Sequence, residues 1–384
     1  MAMRMLVLGA GLQGSACAFD LLQQSDVAYV RLADLRIDHV APFLAAHSGP
    51  RLLPTRLDVR DRDAVLGAMR DCDVVCCALP YYFNLEMTEL AVAAGVHFCD
   101  LGGNTEIVGQ QKALSAAAAA KGISVIPDCG LAPGMVNIIA EAGIRRLSHV
   151  DSVRIYVGGL PQHPEPPLNY QIVYSIEGVL DYYTTLSWIL RDGKRTQVKA
   201  LSERETVTFA PPVGQLEAFH TAGGLSTMAA RYEGKIATME YKTLRYPGHA
   251  QIMEGIRDLG LLDVEPVRVD GIPVVPRRAF IAVAGPRLTK SDGRDLVALR
   301  VIVTGTKDGA SRTLTWELVD RYDEAHHVSA MMRTTGYSLA ITGLMQGSGR
   351  IPVAGVHTPD ETVPHDPYLA DLRRRGVDVS FHET

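Results

Sequence analysis

Short, almost continuous apolar runs alternate with helix-spaced segments over the first third of the chain. Residues 3–8, 27–33, 51–57, 73–79, 96–100 and 124–127 have the length and composition of strands. Between them, residues 14–24, 61–69, 84–94 and the alanine-rich 107–121 carry apolar positions at helical spacing. Strands that are apolar throughout are buried on both faces, and intervening helices act as crossovers. The pattern predicts an α/β unit built on a doubly wound parallel sheet.

The periodicity changes after Pro127-Asp128-Cys129-Gly130-Leu131-Ala132-Pro133-Gly134. Residues 135–146 read as a helix whose N-terminus faces back toward the first unit. Strands then dominate, at 152–158, 206–209, 238–243, 280–283, 298–304 and 311–320. Several alternate apolar with polar residues, as in an antiparallel sheet with one covered face. The proline-rich stretch 161–167 is a loop, because proline cannot feed a central ladder. Residues 334–346 return to helical spacing, and the charged tail from 359 is expected at the periphery. The chain thus divides into a nucleotide-binding part (1–133), an α+β part with a largely antiparallel sheet for substrate, catalysis and dimerisation (134–333), and a C-terminal segment (334–384) packing back on the first part.

Composition narrows the setting. A chain of 384 residues exceeds what one core usually supports. Its net charge of -5 offers no attraction to nucleic acid or anionic lipid. No apolar run approaches the roughly 20 residues of a membrane span, and the N-terminus reads straight into a strand, so no signal peptide is expected. Cys17, Cys72, Cys76, Cys77, Cys99 and Cys129 show no zinc-ligand spacing. They read as buried free thiols of a reducing, cytoplasmic compartment, with no metal.

The first turn carries the chemistry. Gly9-Ala10-Gly11-Leu12-Gln13-Gly14 follows a strand and opens a helix, the context of a Rossmann dinucleotide site. Gly9 allows the tight turn, Gly11 lets amides approach a pyrophosphate, and Gly14 permits close helix–strand packing; Leu12 and Gln13 open the helix. Asp34 ends the second strand twenty residues after Gly14. A carboxylate there accepts bonds from the adenosine ribose hydroxyls and repels a 2′-phosphate, which favours NAD as cofactor, although Arg36 could embrace that phosphate. Asp58 and Val59 are placed to bracket the adenine. Leu79, Pro80 and Asp128, past later strands, are placed to rim the nicotinamide end, together with Tyr81, Tyr82 and Asp100-Leu101-Gly102-Gly103.

These motifs resemble the saccharopine dehydrogenase-like family, on Gly9–Gly14, Asp100–Gly103 and residues 127–137. Tyr156-Val157-Gly158-Gly159, Pro164-Glu165-Pro166-Pro167-Leu168, Ser175-Ile176-Glu177-Gly178, residues 217–221 and residues 240–249 narrow the likeness to its lysine 6-dehydrogenase (lysine ε-dehydrogenase) branch. The resemblance runs over nearly the whole chain. It implies NAD-dependent oxidative deamination of the ε-carbon of L-lysine to allysine, which cyclises to a piperideine carboxylate, in a homo-oligomer, often a dimer. That chemistry needs a neutral amine, a proton acceptor and a positioned water. His220 is the first candidate for acid–base work because histidine titrates near neutral pH, against the alternative of a hydrogen-bonded structural histidine. Asp100 or Tyr81 could instead hold the ε-amine. Arg245 suits the substrate α-carboxylate, or else a salt bridge to Glu240 or Glu177. Glu177 could pair the α-ammonium, and His249 could support Arg245.

Two competing readings remain. A dehydrogenase acting on a secondary amine, such as saccharopine or carboxynorspermidine, needs further cations near the nicotinamide, with Arg231, Lys235 and Lys242 available. A sensor that binds NAD without turnover has no need of the polar motifs between Glu177 and His249.

Overall fold

The computed structural model describes residues 2–37, 40–45, 49–290 and 292–384. Six parallel strands are β1 (Met3–Leu8), β2 (Val27–Asp34), β3 (Leu52–Arg56), β4 (Val74–Cys77), β5 (His97–Asp100) and β6 (Ser124–Ile126). They lie in the order β6-β5-β4-β1-β2-β3, and all their pairings are parallel. The chain winds outward from β1 in one direction and from β4 in the other. A crevice therefore opens at the carboxyl ends of β1 and β4, the switch point where open α/β sheets bind ligands.

The second sheet contains β7 (His149–Pro161), β8 (Ser187–Arg191), β9 (Lys194–Val198), β10 (Glu205–Thr208), β11 (Gln215–His220) and β12 (Thr238–Arg245). A separate exposed hairpin pairs β13 (Val267–Val269) with β14 (Ile272–Val274). The long β15 (Asp295–Lys307) and β16 (Ala310–Arg321) complete the second sheet's centre. Its pairings are antiparallel except that β12 runs parallel to β7, so the sheet is mixed and mostly antiparallel. The helix Met135–Ile144 packs against it closely: a Cβ at Gly143 would lie 2.6 Å from the Val303 side chain.

Three expectations are corrected. Residues 280–283 belong to the helix Pro276–Leu288, not to a strand. Four apolar residues cannot distinguish the two periods, and the cues that decide are Pro276 in the first turn and three interspersed alanines. The helix expected over 107–121 is two, Thr105–Lys112 and Ser115–Ala120. Nor is the tail peripheral throughout: Tyr368 and Leu372 of the helix His365–Arg374 are fully buried, and only the final strand, Ser380–Glu383, is exposed along its length.

Residues 334–384 do not all return to the first sheet. The helix Ala330–Gly347 lies along the helix Leu12–Leu22, so close that a Cβ at Gly336 would sit 2.6 Å from that of Ala16. Strand β17 (Gly355–Val356) joins β6, whereas β18 (Ser380–Glu383) pairs with β16. All six cysteines are free and buried. No helix among the described residues is long and apolar enough to cross a membrane.

Candidate active site

A cavity of about 520 Å³ lies at the carboxyl ends of β1, β4, β5 and β6, where they face the second sheet. From the first half it is lined by Gly11–Gln13, Ala78–Tyr82, Leu101–Gly102 and Gly130–Pro133. From the second, Tyr174, Glu177, Asp181, Tyr241, Thr243 and Arg245 contribute.

The glycine turn is shaped by contacts that exclude side chains. Gly9 has φ +94°, and a Cβ on Gly14 would lie 1.8 Å from the Gly9 carbonyl oxygen. At Gly11 nothing described lies within 4 Å of a Cβ position, so the amides there face open space. The helix Leu12–Leu22 begins with no side-chain cap, leaving its first N–H groups and partial positive charge toward the cavity. The Gln13 side-chain amide is buried yet hydrogen-bonds no described residue. A bare turn, an uncapped helix and an orphaned amide are the features a dinucleotide would satisfy. Asp34 lies beneath the turn: its Oδ2 accepts from the Ala10 N–H (2.8 Å) and its Oδ1 from the Arg36 N–H (2.8 Å). Leu79 and Pro80 line the cavity, whereas Asp58 and Val59 lie beyond β3, outside it. There Asp58 is held by the Arg60 side chain, at 2.9 and 2.8 Å.

Asp100 and Asp128 are buried behind the lining. Asp100 accepts from Gly102 N–H (2.7 Å), Asp128 N–H (3.3 Å) and the Gln111 amide (2.7 Å). Asp128 accepts from Gly103 N–H (3.2 Å) and from the Ser226 hydroxyl. Burial pushes Asp100 up to about 6 and Asp128 up to about 7. Together they tie the loop after β5 to the loop after β6. Neither reaches the cavity surface.

Strand alternation sorts the second-half residues. Tyr241, Thr243 and Arg245 of β12 line the cavity, so Glu240 and Lys242 point to the opposite face. His220 of β11 pairs directly with Lys242 and shares that far face. The structure therefore turns His220 away from the cavity. Its Nδ1 faces the Tyr241 carbonyl (3.2 Å), and its Nε2 lies 3.3 Å from Glu203 and 3.8 Å from Glu240. Burial, then Lys242, push the His220 pKa down.

Arg245 is 2% exposed and lines the cavity. Its guanidinium donates from Nε to the Tyr183 hydroxyl (3.2 Å) and from NH1 to the Leu244 carbonyl (2.9 Å), over the Tyr170 ring at 4.8 Å. No carboxylate among the described residues pairs with it; Glu240 pairs instead with Arg154 (3.2 Å), and Glu177 with none. A buried guanidinium without a counter-ion is costly unless a ligand supplies one. His249 stands behind it. Its Nδ1 faces the Leu168 carbonyl (3.0 Å) and so carries the proton, leaving Nε2 to accept from the Tyr183 hydroxyl (2.9 Å). Burial, then the Arg245 charge, push His249 down to about 3. The imidazole is neutral and holds the phenol that receives Arg245.

The helix Ile176–Thr184 borders the mouth, its first turn capped by Ser175 on the Gly178 N–H (3.4 Å). Glu177 and Asp181 stand one turn apart on one face of this helix, and both line the cavity. Tyr81, from the turn after β4, donates to Asp181 Oδ2 at 3.3 Å. Asp181, Tyr174, Tyr241, Thr243 and Arg277 are absent from the sequence-derived candidates. Ser175 as a cap followed by two acids at i and i+4 would have revealed Asp181. The tyrosines give no signal beyond ordinary apolar packing.

Comparison with known proteins now decides the family. Residues 130–377 match the saccharopine dehydrogenase C-terminal domain, and residues 5–126 match the saccharopine dehydrogenase NADP binding domain. The chain belongs to the saccharopine dehydrogenase family. Among its relatives, the L-glutamate-forming, NADP-dependent saccharopine dehydrogenase of Saccharomyces cerevisiae is 25% identical over 309 residues, 78% of this chain and 67% of that one. The corresponding Schizosaccharomyces pombe enzyme is matched over only 47% of its length. The carboxyaminopropylagmatine dehydrogenase of Synechocystis is 22% identical, with 99% of this chain and 97% of that one covered. The apo structure of the S. cerevisiae saccharopine dehydrogenase superposes with a TM-score of 0.80 at 21% identity, covering 100% of both chains, and so shares the fold. The saccharopine dehydrogenase-family chain thus has a nicotinamide-dinucleotide-binding half and a cavity against its second sheet.

Proposed function

We propose that this chain oxidises the side-chain amine of L-lysine, or a closely similar diamino monocarboxylic acid, to the aldehyde with release of ammonia. The observation that carries the reading is the charge inventory of the cavity. Among the described lining residues Arg245 is the one cation, buried and unpaired, and it shares the cavity with the unpaired Glu177 and with Asp181, one oxygen of which is held by Arg277 from outside the lining while the other faces Tyr81. One carboxylate and two ammonium groups complement that set. The overall change balances as R–CH₂–NH₃⁺ + NAD⁺ + H₂O giving R–CHO + NH₄⁺ + NADH + H⁺.

The dinucleotide, when bound, supplies the hydride acceptor. The residues of this chain do the rest. The glycine turn and helix N-terminus receive the pyrophosphate, and Asp34 receives the ribose. Arg245, fixed by Tyr183 and His249, takes the α-carboxylate. With Asp34 at the ribose we propose NAD over NADP, since a carboxylate beside a 2′-phosphate is repulsive.

A second reading draws on the full-length match to a carboxyaminopropylagmatine dehydrogenase. A secondary amine whose extra arm is cationic would meet the same charge set. Saccharopine fits less well, because its added carboxylates need cations. Arg231 is tied to Glu141 and Asp360, Lys242 to Glu205, Lys235 is exposed, and none of the three lines the cavity. Offering NAD and NADP with lysine, ornithine, saccharopine and carboxyaminopropylagmatine, and following NADH absorbance, tests the readings. Reduction with lysine is expected. Reduction with a secondary amine alone selects the second reading, and saturable NAD binding without any reduction would leave a sensor.

A further inference from the structure

The two carboxylates on the helix Ile176–Thr184 are not equivalent. Glu177 is exposed at the mouth and bonds no described residue. Asp181 is tethered from both sides. Its Oδ1 receives the Arg277 guanidinium, and its Oδ2 receives the Tyr81 hydroxyl. Arg277 is itself fixed, donating to the Leu262 carbonyl (2.8 Å) and the Thr184 hydroxyl (3.1 Å). Tyr81 belongs to the turn after β4, the part of the first half that borders the switch-point crevice. Asp181 is therefore the carboxylate held at the nucleotide side of the cavity. One of its oxygens is locked by a guanidinium, and the other is bound, among the described residues, by a half-buried phenol that a stronger donor can displace.

We propose that Asp181 seats the reacting side-chain ammonium of the substrate, that Arg277 is the positioning residue which aims it, and that Glu177 takes the α-ammonium. The assignment rests on the diamino-acid reading above. An ammonium arriving at Oδ2 replaces the 3.3 Å phenol contact with a charge-assisted one and leaves the Tyr81 hydroxyl beside the same nitrogen. The amine-bearing carbon is thereby brought to the nucleotide half, while Arg245 holds the other end of the molecule against the second sheet.

Two analogues separate the two ends: 6-aminohexanoate lacks the α-amine, and L-norleucine lacks the ε-amine. Calorimetric titration of the NADH-loaded enzyme with lysine and with each analogue is the test. Asp181→Asn should weaken lysine and 6-aminohexanoate by roughly tenfold to a hundredfold, and leave L-norleucine unchanged. Glu177→Gln should weaken lysine and L-norleucine and spare 6-aminohexanoate. Arg277→Met should follow Asp181→Asn with a smaller loss and unchanged NADH affinity, which a merely structural role would not confine to one analogue. Equal loss of both analogues in Asp181→Asn, or wild-type affinity for 6-aminohexanoate, overturns the assignment. If the wild-type protein binds neither lysine nor the analogues, the diamino-acid reading fails first and the assignment falls with it.

Discussion

Arg245 shows how much one side chain can specify. Its neighbours are a phenol, carbonyls and an aromatic face, so its position is fixed while its charge stays unanswered. Arg245→Ala should raise the lysine KM by roughly tenfold to a hundredfold, in line with a charge-assisted bond of about 1.5–3 kcal/mol. Arg245→Lys should recover little, because the fork geometry is lost. Steady-state kinetics check both, and an unchanged KM would remove Arg245 from the substrate. Asp34→Ala, by contrast, should weaken NAD far more than lysine; fluorescence titration of each ligand separates them, and equal losses would count against the ribose assignment. His220 was legible as a titratable residue in a polar motif, but its direction was not. Facing away from the cavity, His220→Asn should lower stability and leave the pH–rate profile of kcat unaltered. A shifted profile would return it to the chemistry.

At the scale of elements, the first half was readable because each local cue agreed with the next. Apolar strands, helical spacing and a glycine turn in the right order define β1 to β6 to within a few residues. The motif is also testable as geometry. Gly14→Ala places a methyl 1.8 Å from the Gly9 carbonyl, so NAD binding should be lost and the melting temperature should fall. Retained NAD affinity would mean that the turn relaxes. The second half was harder for a physical reason. Three hairpins turn on Asp-Gly pairs, Asp192-Gly193, Asp270-Gly271 and Asp308-Gly309, all with positive φ. That signal marks two-residue hairpin turns and fixes where β8–β9 and β13–β14 fold back, but not which strands those hairpins lie beside. Whether Lys242 or Thr243 faces the cavity depends on which strand lies beside β12 and in what register, and no local pattern carries that information.

At the scale of the molecule, the site exists only because two sheets meet, and the buried acids Asp100 and Asp128 tie together the loops at that junction. A carboxyl raised from its unfolded value to about 7 is protonated in both states at low pH, and costs stability as pH rises through that interval. The stability of Asp128→Asn relative to the native protein should therefore increase between about pH 4 and 7, measured by denaturant unfolding at several pH values. A difference that does not change with pH would mean that the acid is not held neutral.

The C-terminal route has its own consequence. The chain crosses between the sheets three times: before β7, before the helix Ala330–Gly347, and between β17 and β18. The second crossing is pinned, since the Asp295 carboxylate of β15 accepts the N–H groups of Ala330 (2.7 Å) and Met331 (2.9 Å). Halves stitched at three points part only if all three connections flex together. Traffic into the cleft then falls to short segments at its rim, such as the turn bearing Tyr81, and the outline of the molecule in solution scattering should barely change when ligands arrive.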